Sequence, residues 1–312
     1  MICRKLSETE EEGTMFLLQS YAHKTIWGGE KLIPYAHGET GPIGHLYSVR
    51  CTAQDSSRIL TGPYRGQTMN TYFSEVKEKF SLSGYAYFPL VIALTDACDN
   101  LSIQVHPDDE TVPVLDAALQ RGKNESWFFI DAPEDGTIFC GCTLTDMGEL
   151  RSALIEGRME EVTKRLPVHR GDYIHVQAGT LHALSKGSLV FEIEENGGAT
   201  YRFFDFNRTD SEGHTRPLHI PQAFFAIHPE LESHTRTYGD GPIEERRYLT
   251  RHFDAVSEYR NSSDTLQVFT VLKGSFPFDG IEVLPGMSFI LEPGDVLHTP
   301  AAEAIVSQPK PL

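Results

Sequence analysis

Apolar and polar positions alternate with a period of two through most of the chain, and short apolar runs between glycine-rich turns fill much of the rest. Successive side chains of a β-strand point to opposite faces, so this pattern predicts strands. Leu101, Ile103 and Val105 take one parity, while Ser102, Gln104 and His106 take the other. Phe88–Leu94 reads as a buried strand, short and continuously apolar with a proline near its start. Further strands are predicted at Tyr173–Val176, Leu189–Glu194 and Tyr201–Phe206, with Arg202, Phe204 and Phe206 on one face. Helical spacing is confined to two regions. In the first, Pro107, Asp108 and Asp109 open a helix carrying Val112, Leu115 and Leu119, stopped by Gly122. A second helix is predicted from Asp146 to Ile155 with Thr145 as its cap, and a third from Met159 to Leu166. A short helix around Pro221–Ile227 makes up the other region.

Many short strands between glycine-rich turns predict a mainly β fold, a jelly roll rather than a parallel α/β sheet. A weak internal repeat refines this. Gly171 and Gly179 precede His182 with the same glycine spacing that Gly286 and Gly294 show before His298. Two related β-barrels in tandem fit that repeat. The second copy has no preceding Gln-x-His strand, which makes it structural. The expected organisation is a polar extension at 1–14, a main domain at 15–228 with a helical insertion at about 107–166, and a smaller β domain at 229–312.

Charge narrows the partners. The 312 residues include 44 acidic and 27 basic side chains, a formal net charge of −17. That field argues against nucleic acid or an anionic membrane surface as partner, and an anionic small substrate needs a local arginine or lysine cluster. No apolar run approaches the roughly 20 residues of a membrane span. The five cysteines follow no framework, and Cys140-Gly-Cys142 is too tight for a CxxC motif. Free thiols in a reducing cytoplasm are expected.

The chemistry concentrates in three segments. Gln104 and His106 project side by side, Glu125 follows in Gly122–Trp127, and His182 lies in Ala178–Leu184. One amide oxygen, two imidazoles and a carboxylate form a coherent zinc ligand set. A carboxylate facing into a barrel without a cation is costly, which supports the same role for Glu125. Asp108 and Asp109 suit helix capping better than ligation. Glu192 and Glu194 share a face, and Glu194 is assigned to a charged outer surface. His175, His214, His219 and His298 read as surface or packing residues, and Trp127–Phe129 as core.

Taken in order, Phe88-Pro-Leu90, Leu101–Asp109, Gly122-Lys-Asn-Glu125, Ala178–Leu184 and Thr200-Tyr-Arg202 resemble the type I mannose-6-phosphate isomerases, in their short bacterial form. The resemblance implies cupin-type jelly-roll β-barrels with inserted short helices. It also implies an aldose–ketose isomerase with one zinc ion per chain, converting mannose 6-phosphate to fructose 6-phosphate and back through an enediol. Carried over by position, Gln104, His106, Glu125 and His182 become the zinc ligands. Arg202 matches the active-site arginine, and Lys123 and Ser102 match polar residues of the substrate pocket. Lys123, Glu192 and Glu194 remain unranked as proton carriers. Three positions depart from the family pattern. Ala93 stands where a lysine is usual, Gly44-His-Leu-Tyr47 replaces Gly-Glu-x-Trp, and Gln177 replaces a proline. These departures keep two alternatives open: a non-catalytic sugar-phosphate-binding cupin, and an isomerase for a different sugar. An oxygen-using iron cupin fits less well, for want of the Gln-x-His pairing in its usual ligand set. The expected partner is a small sugar phosphate, with oligomeric state not readable from the sequence.

Overall fold

Period-two patterning becomes three large antiparallel sheets and a two-stranded ribbon, Phe276–Phe278 with Ile281–Val283, in the computed structural model, which describes residues 14–119, 121–210 and 212–312. The expected extension at 1–14 lies outside the described residues apart from Thr14. The central sheet has seven strands in the order Thr235–Thr237, Asp172–Val176, Glu125–Asp131, Leu189–Glu195, Leu90–Asp96, His45–Val49, Tyr21–His23. A five-stranded sheet runs Tyr201–Phe204, Ile103–Val105, His182–Ala183, Thr137–Cys142, Thr163–Pro167. The six-stranded sheet holds Phe16–Leu17, Ser288–Leu291, Gln267–Lys273, Val296–Pro309, Tyr248–Arg260 and Ile243–Glu244.

The central sheet is covered on both faces, and its side chains alternate accordingly. Leu90, Ile92, Leu94, Phe191 and Ile193 enter the core shared with Val268, Ile290 and Ile305 of the six-stranded sheet. Trp127, Phe129, Ile174 and Val190 point the other way, into a core shared with Ile103, Val105, Ile138 and Phe139. Each such side chain contributes about 1.5–3 kcal/mol on burial. Double coverage explains why Leu90–Asp96 is buried throughout and reads as an unbroken apolar run. The sheets pair as a jelly-roll sandwich and not as closed barrels.

Several expected elements are shorter or differently ended. Among the described residues between 107 and 122 only Val112–Leu115 is helical, because Asp108 Oδ1 accepts from the backbone N–H groups of Glu110 and Thr111 and turns the chain first. The helix Met147–Ile155 is capped by Asp146, not Thr145, its carboxylate accepting from Gly148 and Glu149. The third helix covers only Met159–Val162. Thr163–Pro167 leaves it as an edge strand paired with Thr137–Cys142, tertiary pairing overriding local propensity. The Tyr201 strand ends at Phe204, and Phe206 and Asn207 adopt left-handed φ of 55° and 52°.

Strand pairing crosses the expected division at 228/229 in both directions. Thr235–Thr237 pairs with Asp172–Ile174, and Phe16–Leu17 pairs with Phe289–Ile290. The glycine repeat has a structural basis: Gly171, Gly179, Gly286 and Gly294 all have positive φ, between 84° and 93°.

Candidate metal centre

Two strands of the five-stranded sheet set Gln104 directly opposite His182, and the next pairing sets Gln104 opposite Arg202. Glu125 arrives from the facing sheet as the first residue of its strand. His106 and His182 thereby meet one carboxylate. His106 Nε2 lies 3.0 Å from Glu125 Oε2, and His182 Nε2 lies 3.1 Å from Glu125 Oε1. All three side chains are 1% exposed.

The far side of each ring decides what those contacts mean. His106 Nδ1 sits 3.0 Å from the Ala199 carbonyl and His182 Nδ1 sits 2.8 Å from the Thr180 carbonyl. A carbonyl only accepts, so both Nδ1 atoms carry the hydrogen, and in the neutral ring Nε2 holds a lone pair. Burial, with Lys123 nearby, lowers the His106 pKa to about 4 against the pull of Glu125, so that ring is neutral. Its lone pair therefore faces a carboxylate oxygen with no hydrogen between them. Glu125 Oε1 is also sealed from solvent without a hydrogen-bond donor. A donor set of this kind is completed by a cation, and the backbone carbonyls act as the partners that orient ligating histidines.

Gln104 borders the same centre. Its Nε2 lies 3.4 Å from His182 Nε2, and its Oε1 accepts from Ser102 Oγ at 3.1 Å. Ligation through Oε1 requires the amide turned by half a rotation, which makes Nε2 the donor to Ser102.

Above the centre opens a cavity of about 750 Å³, lined by Ser102, Gln104, Lys123, Glu125, Arg202 and their neighbours. Lys123 Nζ bridges Glu125 Oε2 at 3.2 Å and Glu194 Oε2 at 3.0 Å. Burial alone disfavours its charge, but Glu194 and then Glu125 outweigh that and raise its pKa. Arg202 has no carboxylate partner among the described residues. Asp205 is engaged by Arg208 and Arg216, Glu194 is engaged by Lys123, and Arg202 Nε is buried without an acceptor. The sequence-predicted ligand and pocket residues thus converge on one site.

The expected facing of Glu194 is corrected here. Glu194 is not on an outer face; it and Glu192 both line the cavity. Glu192 is held by Trp127 Nε1 at 3.0 Å and Thr95 Oγ1 at 2.6 Å. Sequence reasoning also missed His45, Arg216 and Arg50 as lining groups. His45 Nδ1 contacts Thr95 Oγ1 at 2.9 Å, a cross-strand neighbour that period-two parity on two separate strands would have revealed only with their register. Ala93 is buried opposite Tyr47 and Glu192. Asp108 and Asp109 hold the turn ahead of the helix and do not cap it, Asp109 accepting from Gly122 and pairing with Arg247.

The chain is similar to proteins of known family. Residues 15–125 match the family described as phosphomannose isomerase type I, catalytic domain. A mannose-6-phosphate isomerase of Streptococcus mutans is 35% identical over 213 residues, covering 66% of this chain and 65% of that protein. The chain therefore spans just under two thirds of that relative's length. Mannose-6-phosphate isomerase ManA of Bacillus subtilis is 34% identical over 264 residues, 84% of this chain and 82% of that one. The crystal structure of the mannose 6-phosphate isomerase from Bacillus subtilis superposes with a TM-score of 0.81 at 28% identity, over 95% of this chain and 99% of the other.

Proposed function

The chain belongs to the type I phosphomannose isomerases, and from that footing we propose that it interconverts D-mannose 6-phosphate and D-fructose 6-phosphate by proton transfer through an enediol. Gln104, His106, Glu125 and His182 would hold one zinc ion, whose oxygen and nitrogen donors suit it. Such an ion, when bound, supplies Lewis acidity that polarises a carbonyl, worth several kcal/mol. Lys123, fixed in its charged form by two carboxylates, offers an ammonium to the oxygens where negative charge develops. Arg202 offers an uncommitted guanidinium, suited to clamp phosphate oxygens in pairs. These cations form the local cluster that an anionic substrate needs within a chain of net charge −17. Four cysteines, 51, 98, 140 and 142, are free thiols, which fits a cytoplasmic enzyme. None of the described helices is long and apolar enough to cross a membrane.

One observation carries this reading: two imidazole Nε2 atoms converge on a buried carboxylate at the floor of a cation-lined cavity. The test is incubation of purified protein with mannose 6-phosphate in deuterated water. Label is expected at the carbon that receives the transferred proton, with turnover abolished by chelation and restored by zinc. A second reading, a non-catalytic sugar-phosphate-binding cupin, is favoured by Ala93 and by His45-Leu-Tyr47 in place of the usual residues. A full equivalent of bound zinc without turnover of any sugar phosphate decides for it.

A further inference from the structure

We propose that His45 is the general acid/base of this isomerisation, acting from Nε2 while Thr95 and Glu192 hold its Nδ1 side; this rests on the isomerase reading above. The hydrogen bonds fix its tautomer. Thr95 Oγ1 lies 2.6 Å from Glu192 Oε2, and a carboxylate only accepts, so the hydroxyl hydrogen is spent there. The same oxygen therefore accepts from His45 Nδ1–H at 2.9 Å, and the lone pair of the neutral ring is on Nε2. Glu192 Oε2 lies 3.5 Å from the same Nδ1, close enough to stabilise the ring once it takes a proton. Trp127 Nε1 fixes the other carboxylate oxygen. Base, hydroxyl and buried carboxylate thus form an oriented relay, the arrangement that activates an imidazole.

Access completes the case. His45 lines the cavity, and its Nε2 has no partner among the described residues. The ring is seated by the edge of Trp27 at 5.0 Å and by Tyr47 at 5.1 Å. Three other candidate proton carriers are already engaged. Lys123 and Glu194 neutralise each other, and His106 faces Glu125. His23 stacks on His45 at 5.9 Å but belongs to the exposed rim.

The proton balance closes without another reactant. Nε2 takes the hydrogen from C2 of the aldose, and the C–H electron pair becomes the C1–C2 double bond, leaving charge on O1. The O2 hydroxyl proton passes to O1. The imidazolium returns its proton to C1, and the electron pair on O2 closes the ketone.

The experiment compares zinc-loaded wild type, His45→Gln and His45→Ala with mannose 6-phosphate. Both variants are expected to keep zinc content and KM within a few-fold while kcat falls about 10²–10⁴-fold. Added imidazole is expected to restore His45→Ala in proportion to its neutral form, which a packing defect does not allow. A His45→Gln enzyme with near wild-type kcat overturns the assignment, as does a loss that tracks falling zinc content and resists rescue. A comparable loss confined to His23→Gln moves the role to that ring. Wild type that turns over no mannose 6-phosphate overturns the isomerase reading itself; active wild type with equally active His45→Gln overturns only the role of His45.

Discussion

Replacing Lys123 with methionine tests the electrostatic construction of the cavity floor. Ligand oxygens of Glu125, Glu192 and Glu194 lie within 4.8 Å of one another, and Lys123 touches two of these carboxylates. Two charges at 4.8 Å repel by about 3.5 kcal/mol at an effective dielectric of 20. Breaking a buried ion pair from one side costs about 3–5 kcal/mol, in the same range. The chelated variant is therefore expected to lose about 3–5 kcal/mol of unfolding free energy in urea. A divalent cation on Glu125 replaces the missing charge, so the zinc-loaded variant should lose far less. The pH dependence has a definite sign. Without Lys123 one glutamate titrates above its unfolded value near about 4.3, so the defect is small below that pH and grows as pH rises through the raised folded value. Equal losses with and without zinc, or a defect that shrinks as pH rises, would refute this account.

Other outcomes follow from particular contacts. Gly179→Ala forces a side chain onto φ 93° with its Cβ 2.2 Å from His228 Cδ2, whereas Gly171→Ala meets nothing within 4 Å. Urea melts should show the first to be the more destabilising by at least about 1–3 kcal/mol. Asp205→Asn leaves Arg208 and Arg216 without their shared carboxylate and should cost about 1–3 kcal/mol at neutral pH. Burial raises the Asp205 pKa, but hydrogen bonds from Arg216 and Arg208 bring it below the usual value. Its contribution is thus present above the unfolded pKa and lost as pH falls, so the gap between wild type and Asp205→Asn should close below about pH 4 in stability measurements. His182→Gln should bind substoichiometric zinc by elemental analysis while retaining its far-UV circular dichroism, since the ring's only backbone contact is local, to Thr180.

The Gln104 and His106 pair of the candidate site was legible because it depends on short-range parity. Ser102, Gln104 and His106 alternate along the Ile103–Val105 strand and its two flanking residues, and the glycines at 171 and 179 sit in the turns on either side of the Asp172–Val176 strand. The strand Leu189–Glu195 was legible to within one residue for the same reason, and Leu90–Asp96 was found with both ends expected two residues earlier. The lengths of the first and third expected helices were not. Asp108 diverts the chain by capping its own neighbours, and Thr163–Pro167 joins a strand whose paired residues are 21 to 30 positions away, at Thr137–Cys142 on the far side of a helix. The facing of Glu194 was equally hidden, because a strand covered on both sides gives charged residues no solvated face to mark. Whether such a residue meets water or a lysine depends on Lys123, seventy-one positions away in sequence, a separation that no periodicity reports.

The departures at 45, 47 and 93 become one feature once register is known. Tyr47 faces Ala93 directly across the ladder, His45 faces Thr95, and Glu192 faces Ala93 from the other neighbour. A lysine at 93 would have Glu192 as its nearest counter-charge by register. In this chain Glu192 already receives Trp127 and Thr95, with His45 beside it, so its two oxygens are satisfied without an ammonium. The alanine leaves room for Tyr47, and the tyrosine ring in turn supports the His45 imidazole. Loss of the lysine and gain of the histidine are thus coupled through a single carboxylate. The positions that looked like decay of a catalytic site in the linear sequence share one hydrogen-bonded wall of the cavity, with a basic nitrogen left open to it.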